Sequence, residues 1–169
     1  MGKMEIRVYP DKVLRKKSLE VKKVGDEERQ FASSMIETMR FANGVGLAAP
    51  QVGVSRRIIV VEDTENKNDN SPFVFLNPRI IRKKGRSTFC EGCLSVPDVA
   101  HDVVRARSVV LEALDLKGDK VKMDTDGILA RILQHEIDHL DGVLFIDRVG
   151  FLKRKRILKE ISTKVCMEL

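Results

Sequence analysis

The segment His135-Glu136-Ile137-Asp138-His139 sets two imidazoles four residues apart, the tightest constraint this chain places on its own fold. On an α-helix, positions i and i+4 lie one turn apart on one face, so His135 and His139 can grip one ion together. Glu136 then stands beside the ion, where a carboxylate can take a proton from water on the metal, the general-base role that H-E-x-x-H implies. The segment predicts a helix: Thr125 or Asp126 offers an N-cap, Gly142 a C-terminal stop, and good helix formers lie between them. Ile128, Ile132, His135 and His139 recur at helical spacing, so the imidazoles continue an apolar stripe and should line an apolar-walled cleft. Leu129, Leu133 and Leu140 fall on a neighbouring face that would anchor the helix to the core. Taken alone, the pattern also admits two structural histidines, or surface histidines paired with Asp138 and Asp141.

A catalytic tetrahedral site takes three protein ligands and leaves the fourth position to water. No further histidine or glutamate follows at metalloprotease spacing, so the third ligand must lie elsewhere. Cys90-Glu91-Gly92-Cys93-Leu94-Ser95, a non-helical stretch ended by Pro97, could supply a thiolate. Cys90 and Cys93 also form a C-x-x-C pair, which reads alternatively as half a zinc ribbon or as a redox dithiol; no second such pair exists, and this one does not open a helix within a βαβ unit. A third segment, Gly44-Val45-Gly46-Leu47-Ala48-Ala49-Pro50-Gln51, looks like a phosphate loop but lacks its lysine and follows a helix instead of preceding one. Its small residues suggest close approach of backbone to backbone or to a ligand, while spacing alone favours a helix stop at Asn43-Gly44 and a tight turn.

In order along the chain, Gly44 to Gln51, Glu91 to Ser95, and Gln134 to Leu140 match the three motifs of the peptide deformylase family, which the chain resembles from about Tyr9 to Arg148. The resemblance implies a hydrolase that removes the N-formyl group from the initiator methionine of nascent polypeptides and releases formate. It implies a metal on Cys93, His135 and His139, with Glu136 as acid and base. It also implies an oxyanion held by the Gln51 side chain and the Leu94 backbone N–H, and a substrate lying extended along Val45 and Gly46. Helix spacing adds an expectation that Ile128 and Ile132 line the pocket for the methionine side chain. Asp138 either orients a ligand or faces water. By ligand softness the Cys/His/His set suits Zn2+, whereas the resemblance points to Fe2+, with Ni2+, Co2+ or Zn2+ accepted. Cys90 is an expected oxidation hazard beside Cys93.

With 169 residues and 43% hydrophobic content, the chain suits one domain, 1–169, carrying a basic C-terminal helix over 151–169. No signal-peptide core and no membrane-length apolar run is visible, and three cysteines argue against a disulfide framework and for a reducing cytoplasm. Met1-Gly2 opens like an acylation signal, but Ile6 stands where serine or threonine is wanted. Asp26 to Asn43 predicts an amphipathic helix with Phe31, Met35, Ile36 and Met39 inward. Strands are predicted at Arg57 to Val61 and at Phe73 to Leu76, the latter ending before Asn77-Pro78, with a polar loop from Glu62 to Pro72 between them. Ser108 to Leu116 and Lys120 to Met123 should form a hairpin about Gly118. Antiparallel or mixed sheets packed around a central helix carrying H-E-x-x-H, flanked by N- and C-terminal helices, make an α+β domain. The net charge of +6 gathers at Lys153-Arg154-Lys155-Arg156, in a helix whose Phe151, Leu158, Ile161 and Val165 could pack inward. A solvated face is the default reading of that run, and the family resemblance adds docking on the ribosome. The rival classes are an H-E-x-x-H endopeptidase and a basic RNA-binding module with a structural zinc.

Overall fold

The computed structural model describes residues 2–62 and 71–167, with side chains as far as 161. Its central element is the predicted helix, α2 (Gly127–Leu140), whose buried Leu129, Leu133 and Leu140 form the anchoring face. Asp126 occupies the N-cap position, and the chain leaves the helix through Gly142 at φ 73°, a left-handed conformation that glycine adopts without a Cβ penalty.

Against α2 lies an antiparallel five-stranded sheet in the order β1 (Gly46–Ala48), β2 (Ile58–Val61), β3 (Phe73–Lys84), β6 (Ser108–Leu114), β7 (Lys120–Asp126). The continuous apolar run of β2 is buried on both faces, as expected of a strand sandwiched between layers. Ile59 and Val61 join Leu129, Leu133 and Ile137 in the core under α2. Ile58 and Val60 face the other way, onto Met35 and Met39 of α1 (Asp26–Phe41). The inward face predicted for α1 is therefore correct, with Phe31 and Ile36 packing at its edges. β6 and β7 form the predicted hairpin.

Three expectations need correction. The strand beginning at Phe73 does not stop before Asn77-Pro78; it continues to Lys84 across a register shift between Leu76 and Arg79. Asn77 takes a left-handed φ of 51°, and its amide side chain exchanges two hydrogen bonds with the backbone of Val21, which fills the gap in the ladder. Second, β4 (Ser87–Cys93) and β5 (Val96–Arg105) form a separate antiparallel ribbon for which no strands were predicted, so the non-helical cysteine segment is a strand. Third, α3 (Phe151–Met167) packs through Ile157, with Leu158 and Ile161 at its margin, while Phe151 is 75% exposed. Val165 and most of the predicted Glu62 to Pro72 loop lie outside the described positions.

Candidate metal centre and active site

The ribbon brings a thiol to the helix. Cys93 ends β4, and its Sγ lies 3.2 Å from His139 Nε2, which in turn lies 3.3 Å from His135 Nε2. All three donor atoms fall within 4.8 Å of one another. A tetrahedral ion with metal–nitrogen bonds of about 2.05 Å and a metal–sulfur bond of about 2.3 Å separates its nitrogens by about 3.3 Å and sulfur from nitrogen by about 3.6 Å. The Cys93–His139 and His139–His135 separations are close to those dimensions, and a thiolate with two imidazoles is a donor set for a borderline or soft divalent ion. The residues present therefore fit a metal.

Electrostatics agree. Burial works against a charge on His135, yet contacts with Cys93, Glu91 and Glu136 raise its pKa to about 10, so the pocket favours a positive centre. His139, fully enclosed and beside His135, is held well below its ordinary value and kept neutral, the form that ligates. Glu136 is buried next to them; desolvation pushes its carboxyl up to about 7, within the range useful for moving protons at neutral pH. Its Oε2 and His139 Nδ1 are buried and have no hydrogen-bond partner among the described residues.

The glycine segment forms the opposite wall. After α1 the chain turns through Asn43 at φ 54°, then Gly46–Ala48 adds as the edge strand β1 to β2, and Ala49–Val52 closes a 3-10 turn. That turn buries Gln51, whose Oε1 accepts from Ala48 N at 2.8 Å. Its amide nitrogen donates to Ser95 Oγ at 3.2 Å and faces Cys93 Sγ at 3.6 Å. Val45, Gly46, Ile128, Ile132, His135 and Glu136 line one cleft of about 640 Å³, which Leu94 joins from the turn between β4 and β5. Every predicted site residue lines this cleft except His139, which is 1% exposed and lies against Cys93 and His135.

The chain is similar to known proteins in sequence and fold. A profile of the polypeptide deformylase family matches residues 3–155. The chain belongs to that family. A peptide deformylase of Thermodesulfovibrio yellowstonii is 43% identical over 97% of this chain and 99% of its own length. The crystal structure of the Legionella pneumophila peptide deformylase superposes with a TM-score of 0.89 at 38% identity, covering 99% of this chain and 98% of that one. The Synechococcus elongatus peptide deformylase, crystallised in complex with actinonin, gives 0.87 at 40% identity over 94% of this chain and 88% of that one. As a peptide deformylase, the chain hydrolyses the N-formyl amide of an amino-terminal formylmethionine and releases formate.

Sequence reasoning missed the polar groups behind the ligands. Asp138 neither faces water nor touches an imidazole; it is buried and accepts from Arg105 at 2.7 Å and from Arg148 at 2.5 and 3.0 Å. The carboxylate that meets His135 is Glu91, 3.1 Å from Nδ1. Burial alone would raise the Glu91 pKa, but His135 and Arg105 outweigh it and hold the group at about 2. Cys90 is exposed and, like Cys93, is a free thiol.

Proposed function

We propose that Cys93, His135 and His139 hold the divalent ion of this deformylase and that Glu136 is its proton carrier. The observation that carries this reading is the convergence of one sulfur and two nitrogens, from separate elements, beside a buried and unpartnered carboxylate oxygen. When bound, the ion supplies Lewis acidity to water and to the formyl oxygen. Glu136 takes a proton from the attacking water and passes it to the amine nitrogen as the carbon–nitrogen bond breaks, leaving formate and a free amino terminus. The Gln51 amide and the Leu94 N–H stabilise the charge that develops on the formyl oxygen. The formylated peptide lies extended along Val45 and Gly46, pairing with the edge of the sheet, and its methionine side chain enters between Ile128 and Ile132.

Fe2+ is the proposed working ion, with Zn2+, Ni2+ or Co2+ as alternative occupants. Residues 1–169 act as one catalytic domain in the cytoplasm, where nascent chains emerge. No helix among the described residues is long and apolar enough to cross a membrane. Lys153, Lys155 and Arg156 are exposed on α3 and offer ribosomal RNA a basic contact; reversing these charges should weaken ribosome co-sedimentation and flatten its salt dependence.

Formate release from formyl-Met-Ala-Ser, run beside a casein digest and an RNA mobility shift, separates this reading from an endopeptidase and from an RNA-binding module. Formate release that disappears in Cys93→Ala together with the bound metal is expected. Full activity in that variant would remove the cysteine from the centre.

A further inference from the structure

The metal donors sit on two bodies that share no strand pairing among the described residues: His135 and His139 on α2, Cys93 on the β4–β5 ribbon. Something must fix the distance between those bodies. One helical turn before His135, on the same face, stands Arg131, whose side chain is 7% exposed. Its Nη1 donates to Glu91 Oε1 and to Val103 O at 3.1 Å. Its Nη2 donates to Ser87 O at 2.8 Å and Ser87 Oγ at 3.1 Å. A single helix residue thus grips both strands of the ribbon, the near one at two places. Glu91 precedes Cys93 by two positions on β4, so the Arg131–Glu91 contact holds the strand close to the thiol.

Glu91 is saturated by these contacts. Oε1 accepts from Arg131 and from Arg105 Nε at 2.6 Å; Oε2 accepts from Arg105 Nη2 at 2.9 Å and meets His135 Nδ1 at 3.1 Å. A carboxylate with all four acceptor directions filled has one orientation, and so does the imidazole it faces. Arg105 also ties the ribbon to α2, through Asp138 at 2.7 Å, but it acts from β5 alone, whereas Arg131 reaches both strands and is the helix residue that meets Ser87 and Val103. Lysine cannot replace Arg131, since one ammonium lacks the planar fork that spans Glu91, Val103 and Ser87.

We propose that Arg131 is a positioning residue of the metal centre: its guanidinium clamps the ribbon to α2, setting the Cys93 thiolate against the two imidazoles and locking Glu91 behind His135. The proposal rests on the Cys93, His135, His139 reading of the site.

The test loads the full-length protein with Co2+, measures affinity by chelator competition, and records the near-ultraviolet thiolate-to-cobalt absorption. Parent, Arg131→Lys and Arg131→Met are compared, with urea unfolding of the metal-free forms alongside. Groups that orient a ligand typically contribute about 10–100-fold in metal affinity. Arg131→Met is expected to lose Co2+ affinity in that range and to show a weakened or shifted thiolate band, with kcat falling more than KM rises. Arg131→Lys keeps the charge and the length, is expected to fold, and should fall between parent and Met. A variant that unfolds more readily but binds Co2+ with the parent's affinity and spectrum would overturn the proposal, as would Arg131→Lys indistinguishable from the parent. A parent enzyme without any thiolate band would instead overturn the ligand assignment beneath it.

Discussion

Gly46 is the position at which the active-site geometry can be perturbed with the smallest chemical change. A methyl group added there would stand 2.5 Å from Glu136 Oε1 and 2.8 Å from Ile132 Cγ2, whereas carbon contacts rest at about 3.5–4.0 Å. Something must therefore move by about 1 Å. The strand cannot retreat readily, because Gly46, Leu47 and Ala48 pair with Val61, Val60 and Ile59 of a strand buried on both faces. Ile132 is β-branched and 7% exposed, so its χ1 has little freedom. The Glu136 carboxylate is the group left to yield. A displacement of that size at a reacting group costs about 10²-fold in rate, or about 2.7 kcal/mol of barrier. Overpacking adds about 1–3 kcal/mol of instability, a Tm loss of about 2–12 °C at this chain length. Gly46→Ala should therefore lower kcat for formate release from formyl-Met-Ala-Ser by about two orders of magnitude while retaining its metal, determined by elemental analysis of the same sample. A metal-replete variant with kcat within about twofold of the parent would refute the placement of Glu136 against β1.

Gln51→Ala should lose about 10²–10³-fold in kcat at unchanged metal content, the usual consequence of deleting an oxyanion donor; a loss appearing only in KM would mean that the amide binds substrate without stabilising charge. Gly142→Ala puts a Cβ 2.6 Å from Arg15 O at a φ of 73°, so urea unfolding should show a loss of at least about 1–3 kcal/mol, and unaltered stability would contradict the left-handed exit from α2. Asp147 resists burial, which alone would raise its pKa, by accepting from Arg15, Leu144 N and Arg154, and the net shift is downward from 3.8. Its stabilisation is present above that ordinary value and disappears as pH falls through the lower folded one, so the Tm gap between parent and Asp147→Asn should close on acidification; a gap that widens would reverse the sign.

How much of this could be read beforehand follows from where each feature's determinants lie. The helix of α2 and the shared face of His135 and His139 were legible because cap, stripe and stop are local, and 3.6-residue periodicity needs no partner. The strand past Asn77 was not, since the amide that closes the gap in the ladder bonds to Val21, far away in sequence. The ribbon was equally opaque: β4 is mostly exposed, and β5 carries Pro97 and a left-handed Asp98, all of which read as loop. Phe151 shows that apolar character alone does not imply burial: Ile157, packed with Leu144, Phe145 and Ile146, is the α3 residue that is buried.

The buried charges explain why the hardest part to read is also the part the chemistry leans on. Arg105, Glu91, Arg131 and Asp138 are residue types that almost never enter an interior unless paired, so in a linear sequence they count as surface. Placing them inside gains little net stability over an apolar core of the same volume, because desolvation offsets most of the attraction. Their advantage is directional: a guanidinium fork and a carboxylate accept few relative orientations, whereas apolar side chains slide. A cluster of donor atoms drawn from a helix and a separate ribbon, as in Cys93, His135 and His139, needs that directional restraint more than it needs free energy. Replacing Glu91 and Arg131 together by apolar residues should therefore lower Co2+ affinity further than either single change, and preserved affinity in that pair would refute the argument.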